Sequence, residues 1–439
     1  MDDKLNEARE KINRIDKEMA RLFVERMKAA EDVAEYKKEH GLEILDPVRE
    51  AEVIRSNSEY VDNNTHREYY VNFQKNTMAL SRAYQSRLIT EMRAADSGVT
   101  TLNVNLGERS YPITVGHDLI NSANEYFDLD RKVFIITDSG VPCRYAEALR
   151  SVCKPATVYT VAEGEGSKSL STLEAVLTAM ADAELGRSDC VVAVGGGVVG
   201  DLGGFAASVY MRGIDFYNVP TTLLSQVDSS IGGKTAVNLG GIKNIVGAFK
   251  QPKGVIVDTD TLKTLPERHL MNGLAEAIKM ATTSDAELFA KMESLDKADI
   301  YNNIEEIIVG ALKIKKHVVE NDECENGLRK ILNFGHTLGH GIEADAGLGT
   351  LYHGECVAIG MIPVAFGESQ TRLLNVLKKF GLPTEYQGNI DSALRYVIHD
   401  KKCSGGVISV IVSEKIGTHA IKSMSVEEFK NLVLNANKR

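Results

Sequence analysis

Three histidines stand close together in this chain. His336 and His340 are four residues apart in Leu332-Asn-Phe-Gly-His-Thr-Leu-Gly-His340, and His353 follows in His353-Gly-Glu355. In a helix the first two lie one turn apart on one face. Only 10 histidines serve 439 residues, so the concentration calls for a reason. Imidazoles at i and i+4 with a distant third are what a divalent, zinc-like ion asks for. The competing reading is solvated helix-end and loop histidines, and these residues alone leave both open.

A second candidate is Cys190-Val-Val-Ala-Val-Gly195-Gly196-Gly197-Val198-Val-Gly200-Asp201. An apolar run of strand length enters a glycine turn and then a helix, so Gly195-x-Gly197-x-x-Gly200 fits the dinucleotide fingerprint in the context it requires. Glycines let the backbone approach a pyrophosphate, and the helix N-terminus favours its charge. A tight strand-to-helix turn with no ligand is the alternative. A polar run follows: Met211-Arg212-Gly, Pro220-Thr221-Thr222-Leu-Leu224, Gln226-Val-Asp228-Ser-Ser230, Gly232-Gly-Lys234-Thr and Lys243-Asn244. Gly232-Gly-Lys-Thr lacks the earlier glycine of a P-loop, because position 228 is Asp; this argues against nucleoside triphosphate hydrolysis. Arg212, Lys234, Lys243 and Asn244 read instead as donors to phosphate and carboxylate. In Gly273-Leu-Ala-Glu276-Ala-Ile-Lys279 a carboxylate and an ammonium fall on one helical face.

The elements that position these groups follow from composition and pattern. The net charge of −10 argues against a nucleic-acid partner and leaves anionic ligands to local Lys and Arg clusters. Chain length predicts two or three domains. No apolar run reaches membrane-spanning length. The six cysteines form no CxxC pair, and reduced thiols in a cytoplasmic protein are the expectation.

The first forty residues carry neither Pro nor Gly, and Ile12, Ile15, Met19, Leu22, Phe23, Ala30 and Val33 fall at helical spacing. One long amphipathic helix is expected. Asp46-Pro47 supplies a cap and first position for a second helix to about Val61, and a third covers roughly residues 66–93. Arg26 stands four after Leu22 and Lys37 four after Val33, where apolar residues belong. At 3.6 residues per turn the two cations differ by about 20°, so they point along one line. Buried cations must be paired, either with acidic residues of the second helix or with a small polyanion.

Arg9-Glu-Lys-Ile, Glu25-Arg26, Lys37, Asp46-Pro-Val-Arg49-Glu50 and Ser81-x3-Gln85 resemble the all-helical chorismate mutases, over residues 3 to about 90. The resemblance implies an intertwined homodimer that converts chorismate to prephenate. Arg9 would come from the partner protomer. Arg26 and Arg49 would hold the substrate carboxylates. Lys37 and Gln85 would face the ether oxygen, and Asp46, Glu50 and Ser81 would complete the polar lining. A rearrangement of this kind needs a held conformer and cations aimed at developing charge. A ligand-sensing or dimerisation module without turnover is the alternative.

Residues 94–100 read as a linker. From 101 to about 260 strands and helices alternate, which indicates a Rossmann-like α/β domain, and from 261 to 439 the pattern is mainly helical with a late strand at Val407–Val412. This stretch resembles 3-dehydroquinate synthase along residues 101 to about 425. The motifs are Gly164-Glu165-x2-Lys168, Gly195-Gly-Gly-Val-x-Gly-Asp201, Gln226-Val-Asp-Ser-Ser, Gly232-Gly-Lys-Thr, Gly241-x-Lys-Asn244, Ala275-Glu-x2-Lys279, Leu332-Asn-x-Gly-His336-x3-His340 and His353-Gly-Glu. The resemblance implies NAD and one divalent ion, usually zinc, with cobalt an alternative. Glu276, His336 and His353 would be the metal ligands, which makes His340 a base or hydrogen-bond partner instead. Asp138, Glu165, Lys168, Gly196, Gly197, Val198, Asp201, Thr221, Thr222, Leu224, Lys243 and Asn244 would hold NAD. Gly140 stands where an asparagine is common, which puts one ribose contact in doubt. Arg212, Lys234, Asn244, Lys279 and His340 would surround the reacting atoms. Asp228, Lys315, Arg329, Asn333 and Lys401 or Lys402 would hold the substrate, 3-deoxy-D-arabino-heptulosonate 7-phosphate. Other sugar-phosphate cyclases and metal-dependent polyol dehydrogenases are the rival readings.

Overall fold

The computed structural model describes residues 2–40, 42–325, 327–347, 349–401 and 407–436. Contacts divide the chain into two compact units, residues 1–110 and 111–439. No helix among the described residues is long and apolar enough to cross a membrane.

The first unit holds α1 (Asp2–His40), α2 (Pro47–Ser58), α3 (Asn64–Ser97) and strand β1 (Thr100–Val104). The Asp46 carboxylate accepts the Arg49 N–H at 2.9 Å and Pro47 opens α2, as the cap pattern requires. Helix α3 runs further than its pattern suggests, through most of the segment read as linker. Ala94 and Ala95 are strong helix formers, and the helix stops where Gly98 adopts φ +70°. Ala30 and Ala34 on α1 and Met78 and Ile89 on α3 are buried, and α1 packs on α3. The amino-terminal half of α1 is different: Leu5, Ile12, Ile15, Met19, Leu22 and Phe23 are 42–55% exposed.

The second unit alternates strands and helices: β2 (Tyr111–Gly116), β3 (Val133–Asp138), α4 (Cys143–Ser151), β4 (Ala156–Val161), α5 (Leu170–Asp182), β5 (Cys190–Gly195), α6 (Gly197–Val209), β6 (Asp215–Pro220), β7 (Lys234–Leu239), β8 (Ile242–Phe249) and β9 (Gly254–Asp258). Strands β2-β9-β6-β5-β3-β4 lie side by side in that order, all parallel. Every residue of β5 is buried, which is why it reads as an unbroken apolar run. From β3 the chain goes outward to β4 and returns to β5 on the other side, so the sheet has its switch point between β3 and β5. Ligands of open parallel sheets bind beyond the carboxyl ends of strands at such a point. Asp138 and Gly195 end the two strands that flank it. β7 and β8 form a separate antiparallel hairpin, which the sequence pattern had not separated from the surrounding polar run.

The remainder is mainly helical: α7 (Glu267–Ser284), α8 (Ala286–Ser294), α9 (Ile304–Asn321), α10 (His336–Ala346), α11 (His353–Met361), α12 (Gly367–Lys379) and α13 (Ile390–Lys401). The late strand is present as β10 (Val407–Val412), paired with β11 (Ala420–Ser425) ahead of α14 (Val426–Ala436). Helix α7 is central, buried from Leu270 to Thr283, so it carries Glu276 and Lys279 into the interior. Gly354 lets α11 approach it: a Cβ there would come 2.0 Å from the Asn272 carbonyl oxygen. The Gly354 N–H donates to Asn272 Oδ1 at 2.6 Å. Glu355 receives the Tyr352 N–H at 2.8 Å and pairs with Arg268 at 2.7 Å. The His353-Gly-Glu355 run thus combines a ligand-type side chain, a close helix crossing and an anchor.

Candidate active sites

Three side chains from three helices converge. Glu276 of α7 is fully buried. Its Oε1 lies 3.7 Å from His336 Nε2 and 3.6 Å from His353 Nε2. Its Oε2 lies 2.5 Å from Lys279 Nζ, yet neither carboxylate oxygen receives an aligned hydrogen bond. Lys279 offsets part of the cost of burying this carboxylate, and Oε1, the oxygen that faces the two imidazoles, is left without a hydrogen-bond partner where a cation would complete it. His336 Nδ1 faces the Phe334 carbonyl oxygen at 3.2 Å and His353 Nδ1 faces Glu343 Oε2 at 3.3 Å. With Nδ1 of each ring turned to an oxygen acceptor, Nε2 is the ring atom that faces Glu276 in both. One ligand atom from each of His336, His340 and His353 also lies within 4.8 Å of the others. The spacing-based trio is therefore compact too, with the more exposed His340 at its edge.

Electrostatics separate the two rings. Burial, helped by Lys279, pushes His336 well below the ordinary imidazole range, so it is neutral. Burial opposes the charged form of His353 as well, but Glu276 and Glu343 outweigh it and raise that imidazole to about 9. Burial likewise opposes ionised Glu276, and Lys279 and the two histidines hold it well below the usual carboxylate range.

Further ion pairs lie on the elements beside this cluster. Lys315 of α9 is buried and pairs with Asp228. Burial would raise the Asp228 carboxyl, but Lys315 and Lys279 hold it below its ordinary value. A single π-turn at Ser225–Ser229 presents Asp228. Gln226, from the same motif, is structural, its side-chain N–H groups bonding Pro220 O and Asp258 O at 3.1 Å. Lys234, at the start of β7, pairs with Glu325, whose other oxygen accepts from Asn333 at 2.9 Å. Sequence reasoning missed Glu325. Its one signal is its place between Asp322-Glu323 and Arg329, and only the fold puts it between two substrate candidates. Arg329 is 1% exposed and donates to the carbonyls of Glu323 and, at 3.0 Å, Gly232. This makes it a structural tie for the Gly232–Lys234 turn, with its Nε left unpartnered. Arg212 is exposed in a left-handed turn, φ +70°, and is not a member of these ion pairs. Lys401 ends α13, and Lys402 lies outside the described residues.

On the sheet side, Gly196, Gly197 and Val198 are partly accessible at the start of α6. A Cβ on Gly196 would come 3.1 Å from Thr222, so the turn is packed tightly beneath. Lys168 bridges Asp201 and Asn244. Burial raises Asp201 to about 6 despite Lys168. Glu165 accepts from Asn238 at 2.8 Å. Asp138 Oδ1 accepts from Gly140 N–H at 2.8 Å and Val141 N–H at 3.1 Å. Beside Gly140, Glu163 Oε2 occupies the space a side chain would take, 2.3 Å from a Cβ placed there. Thr221 is buried, and Leu224 packs under Gly273 of α7. Lys243, read as a cofactor contact, pairs with Glu343 at 2.7 Å.

In the first unit, Arg26 Nη1 and Gln85 Oε1 are buried without hydrogen-bond partners, on the two helices that pack together. Ser81 is buried. Lys37 Nζ donates to the Ile44 carbonyl at 2.5 Å. Glu50 pairs with Arg82, which sequence reasoning had not singled out. Asp46 is spent on the α2 cap and exposed Arg49 on Glu52 at 2.7 Å. Arg9 is exposed.

A parallel sheet with a glycine turn at its switch point, joined to a helical part bearing a buried carboxylate–imidazole cluster, defines a class of two-part α/β enzymes. The solved structure of 2-deoxy-scyllo-inosose synthase, complexed with carbaglucose-6-phosphate, NAD+ and Co2+, is similar at 28% identity and TM-score 0.70, covering 76% of this chain and 99% of that one. A 2-epi-5-epi-valiolone synthase from Streptomyces hygroscopicus subsp. jinggangensis, with NAD+ and Zn2+ bound, is similar at 28% and 0.69, with the same coverage. A maleylacetate reductase from Agrobacterium tumefaciens, at 16% identity and 0.54, shares the fold. Residues 158–272 match the 3-dehydroquinate synthase N-terminal family and 273–403 its C-terminal family, while 8–86 match chorismate mutase type II. The 3-dehydroquinate synthase of Enterococcus faecalis is 44% identical over 75% of this chain and 97% of its own length. That of Streptococcus mutans is 42% identical, over 75% and 98%. The chain belongs to the 3-dehydroquinate synthase family and carries a chorismate mutase domain fused ahead of it.

Proposed function

We propose that the synthase part converts 3-deoxy-D-arabino-heptulosonate 7-phosphate to 3-dehydroquinate and phosphate, and that the helical part converts chorismate to prephenate. We assign residues 1–93, 101–260 and 261–439 as the mutase, NAD-binding and metal/substrate-binding domains. Glu276, buried between two inward-facing imidazoles and lacking aligned hydrogen bonds, carries the reading. With His336 and His353 it has the donor set of a zinc or cobalt site, and such an ion supplies polarisation of substrate oxygens. The glycine turn, with Asp138, Glu165, Lys168, Asp201, Thr221 and Thr222 around it, suits NAD, which supplies reversible oxidation at one carbon and ends unchanged.

The chain's own residues do the rest. Lys234, Lys279, Asn244 and His340 hold the phosphate and the oxygens beside the reacting carbons. Lys315 and Asn333 anchor the distal anion, and Arg329 keeps the Gly232–Lys234 turn in place. Burial opposes ionised Glu325, but Lys234 and Asn333 hold its carboxyl below the ordinary value, and it positions both of those substrate-side groups. Glu325→Gln should lower the synthase rate by about 10–100-fold, the scale of misplacing a group that holds the substrate, and leave the mutase rate unchanged. Steady-state assays of both reactions check this, and a synthase rate within a few-fold of wild type would remove Glu325 from the machinery.

A pH dependence follows from His353. Its raised value stabilises the metal-free fold fully below about pH 6.5, the ordinary value, and that contribution fades as pH rises through about 9. A metal must displace this proton, so uptake at neutral pH releases about one proton, and apparent affinity climbs roughly tenfold per pH unit up to about pH 9. Weakly buffered titration with Zn²⁺ reads the release, and affinity flat between pH 6 and 8 would count against it.

The mutase part acts as a homodimer in this reading. Arg9 and Arg26 are 17 residues apart on one helix, about 26 Å at 1.5 Å per residue, too far to serve one small ligand. The exposed apolar stripe of α1 is what a second copy would cover. A biosynthetic enzyme of this kind belongs in the cytoplasm. One sample assayed for both products, with and without chelator, tests the whole reading. Net NADH accumulation on a polyol without phosphate release would favour a dehydrogenase instead.

A further inference from the structure

The contact on the outer nitrogen of His353 comes from a carboxylate of α10 that is outside the ligand set. Glu343 stands three residues after His340 on α10, on the same face. Its side chain is 18% exposed. One oxygen lies 3.3 Å from His353 Nδ1 and the other 2.7 Å from Lys243 Nζ. Lys243 is on β8, in the hairpin that also carries Lys234 and Asn244. On the far side of the imidazole, Nε2 is 3.6 Å from Glu276 Oε1. The other ring of the cluster, His336, is oriented by a backbone carbonyl, which no side-chain change can alter. His353 is oriented by a charged side chain that is itself held by a cation from a different element.

We propose that Glu343 is a positioning residue of the metal centre and that Lys243 acts through it, so that the β7–β8 hairpin is tied to His353. Glu343 accepts a hydrogen bond from Nδ1–H, which fixes the tautomer and leaves Nε2 to ligate. Lys243 fixes the rotamer of Glu343. The hairpin then grips the helical part twice, through Lys234–Glu325 at the substrate side and Lys243–Glu343 at the ligand side. The close α10–α11 packing is independent of this pair: a Cβ on Gly360 would come 2.0 Å from the Gly335 carbonyl oxygen, so the helices are held by backbone proximity. The inference rests on the metal reading above.

The test uses the full chain, stripped of metal and titrated with Co²⁺, reading both affinity and the visible absorption of the bound ion. Glu343→Leu should bind Co²⁺ 10–100-fold more weakly, with an altered spectrum. Glu343→Gln, which keeps an acceptor without its charge, should fall between it and wild type. Lys243→Met, at a side chain 40% exposed and so a small risk to folding, should weaken binding several-fold. Combined with Glu343→Leu it should add nothing, because Lys243 acts through that carboxylate. Thermal unfolding of each metal-free variant separates loss of the ligand geometry from loss of the fold. Wild-type affinity and spectrum in Glu343→Leu would overturn the role of Glu343, and full additivity of the two changes would overturn that of Lys243. His353→Ala is the reference. If it binds Co²⁺ as wild type does, the metal reading itself falls; if it loses binding while Glu343→Leu keeps it, only this inference falls.

Discussion

Glu276→Ala is expected to abolish 3-dehydroquinate formation, by at least about a thousandfold, while prephenate formation continues at the wild-type rate. The size follows from an ion whose polarising effect contributes several kcal/mol, each 1.4 of which is tenfold in rate. The selectivity follows because residues 1–110 and 111–439 are separate compact units. Removing this carboxylate also strands Lys279, which is 1% exposed, and an uncompensated buried charge costs about 3–5 kcal/mol. Glu276→Gln keeps the volume, and chelation leaves the chain untouched. Both should reproduce the loss, and added Zn²⁺ or Co²⁺ should restore the chelated protein alone. Full synthase turnover after exhaustive chelation would sink the ligand assignment.

Arg26→Ala is the second large effect. Its Nη1 is buried without a partner, which is the state of a donor whose acceptor arrives with the ligand. Removing one such donor typically lowers a rate by about 10²–10³. Loss of prephenate formation by at least that factor is expected, with 3-dehydroquinate formation unaffected. Arg26→Lys should rescue little, because an ammonium cannot reproduce a two-pronged hold on a carboxylate. Prephenate turnover within a few-fold of wild type would leave the helical unit as a binding or dimerisation module.

Much of the fold was legible because its signals are local. The Pro- and Gly-free first forty residues, the Asp46-Pro47 cap and the apolar run of β5 each state their own structure. The β7–β8 hairpin was not legible, since its strands mix apolar and polar residues without clear alternation and are defined by their pairing. Helix α3 outran its pattern because two alanines sit in what composition marks as a joint.

The site divides along the same line. By itself the sequence determined the kinds of chemistry present: a glycine turn for a dinucleotide, clustered imidazoles for an ion, and cations breaking an apolar stripe. Those are requirements of residue type and short spacing, and each survives translation into a single helix or turn. Only the tertiary structure decided which groups meet. It committed Arg329 to backbone carbonyls, brought Glu325 to Lys234 and ran Lys243 through Glu343 to a ligand-type histidine. These partners lie on different elements, and their meeting depends on how close two helices can pass. That distance is fixed by glycines such as Gly354 and by burial, neither of which shows in the spacing of the charged residues themselves.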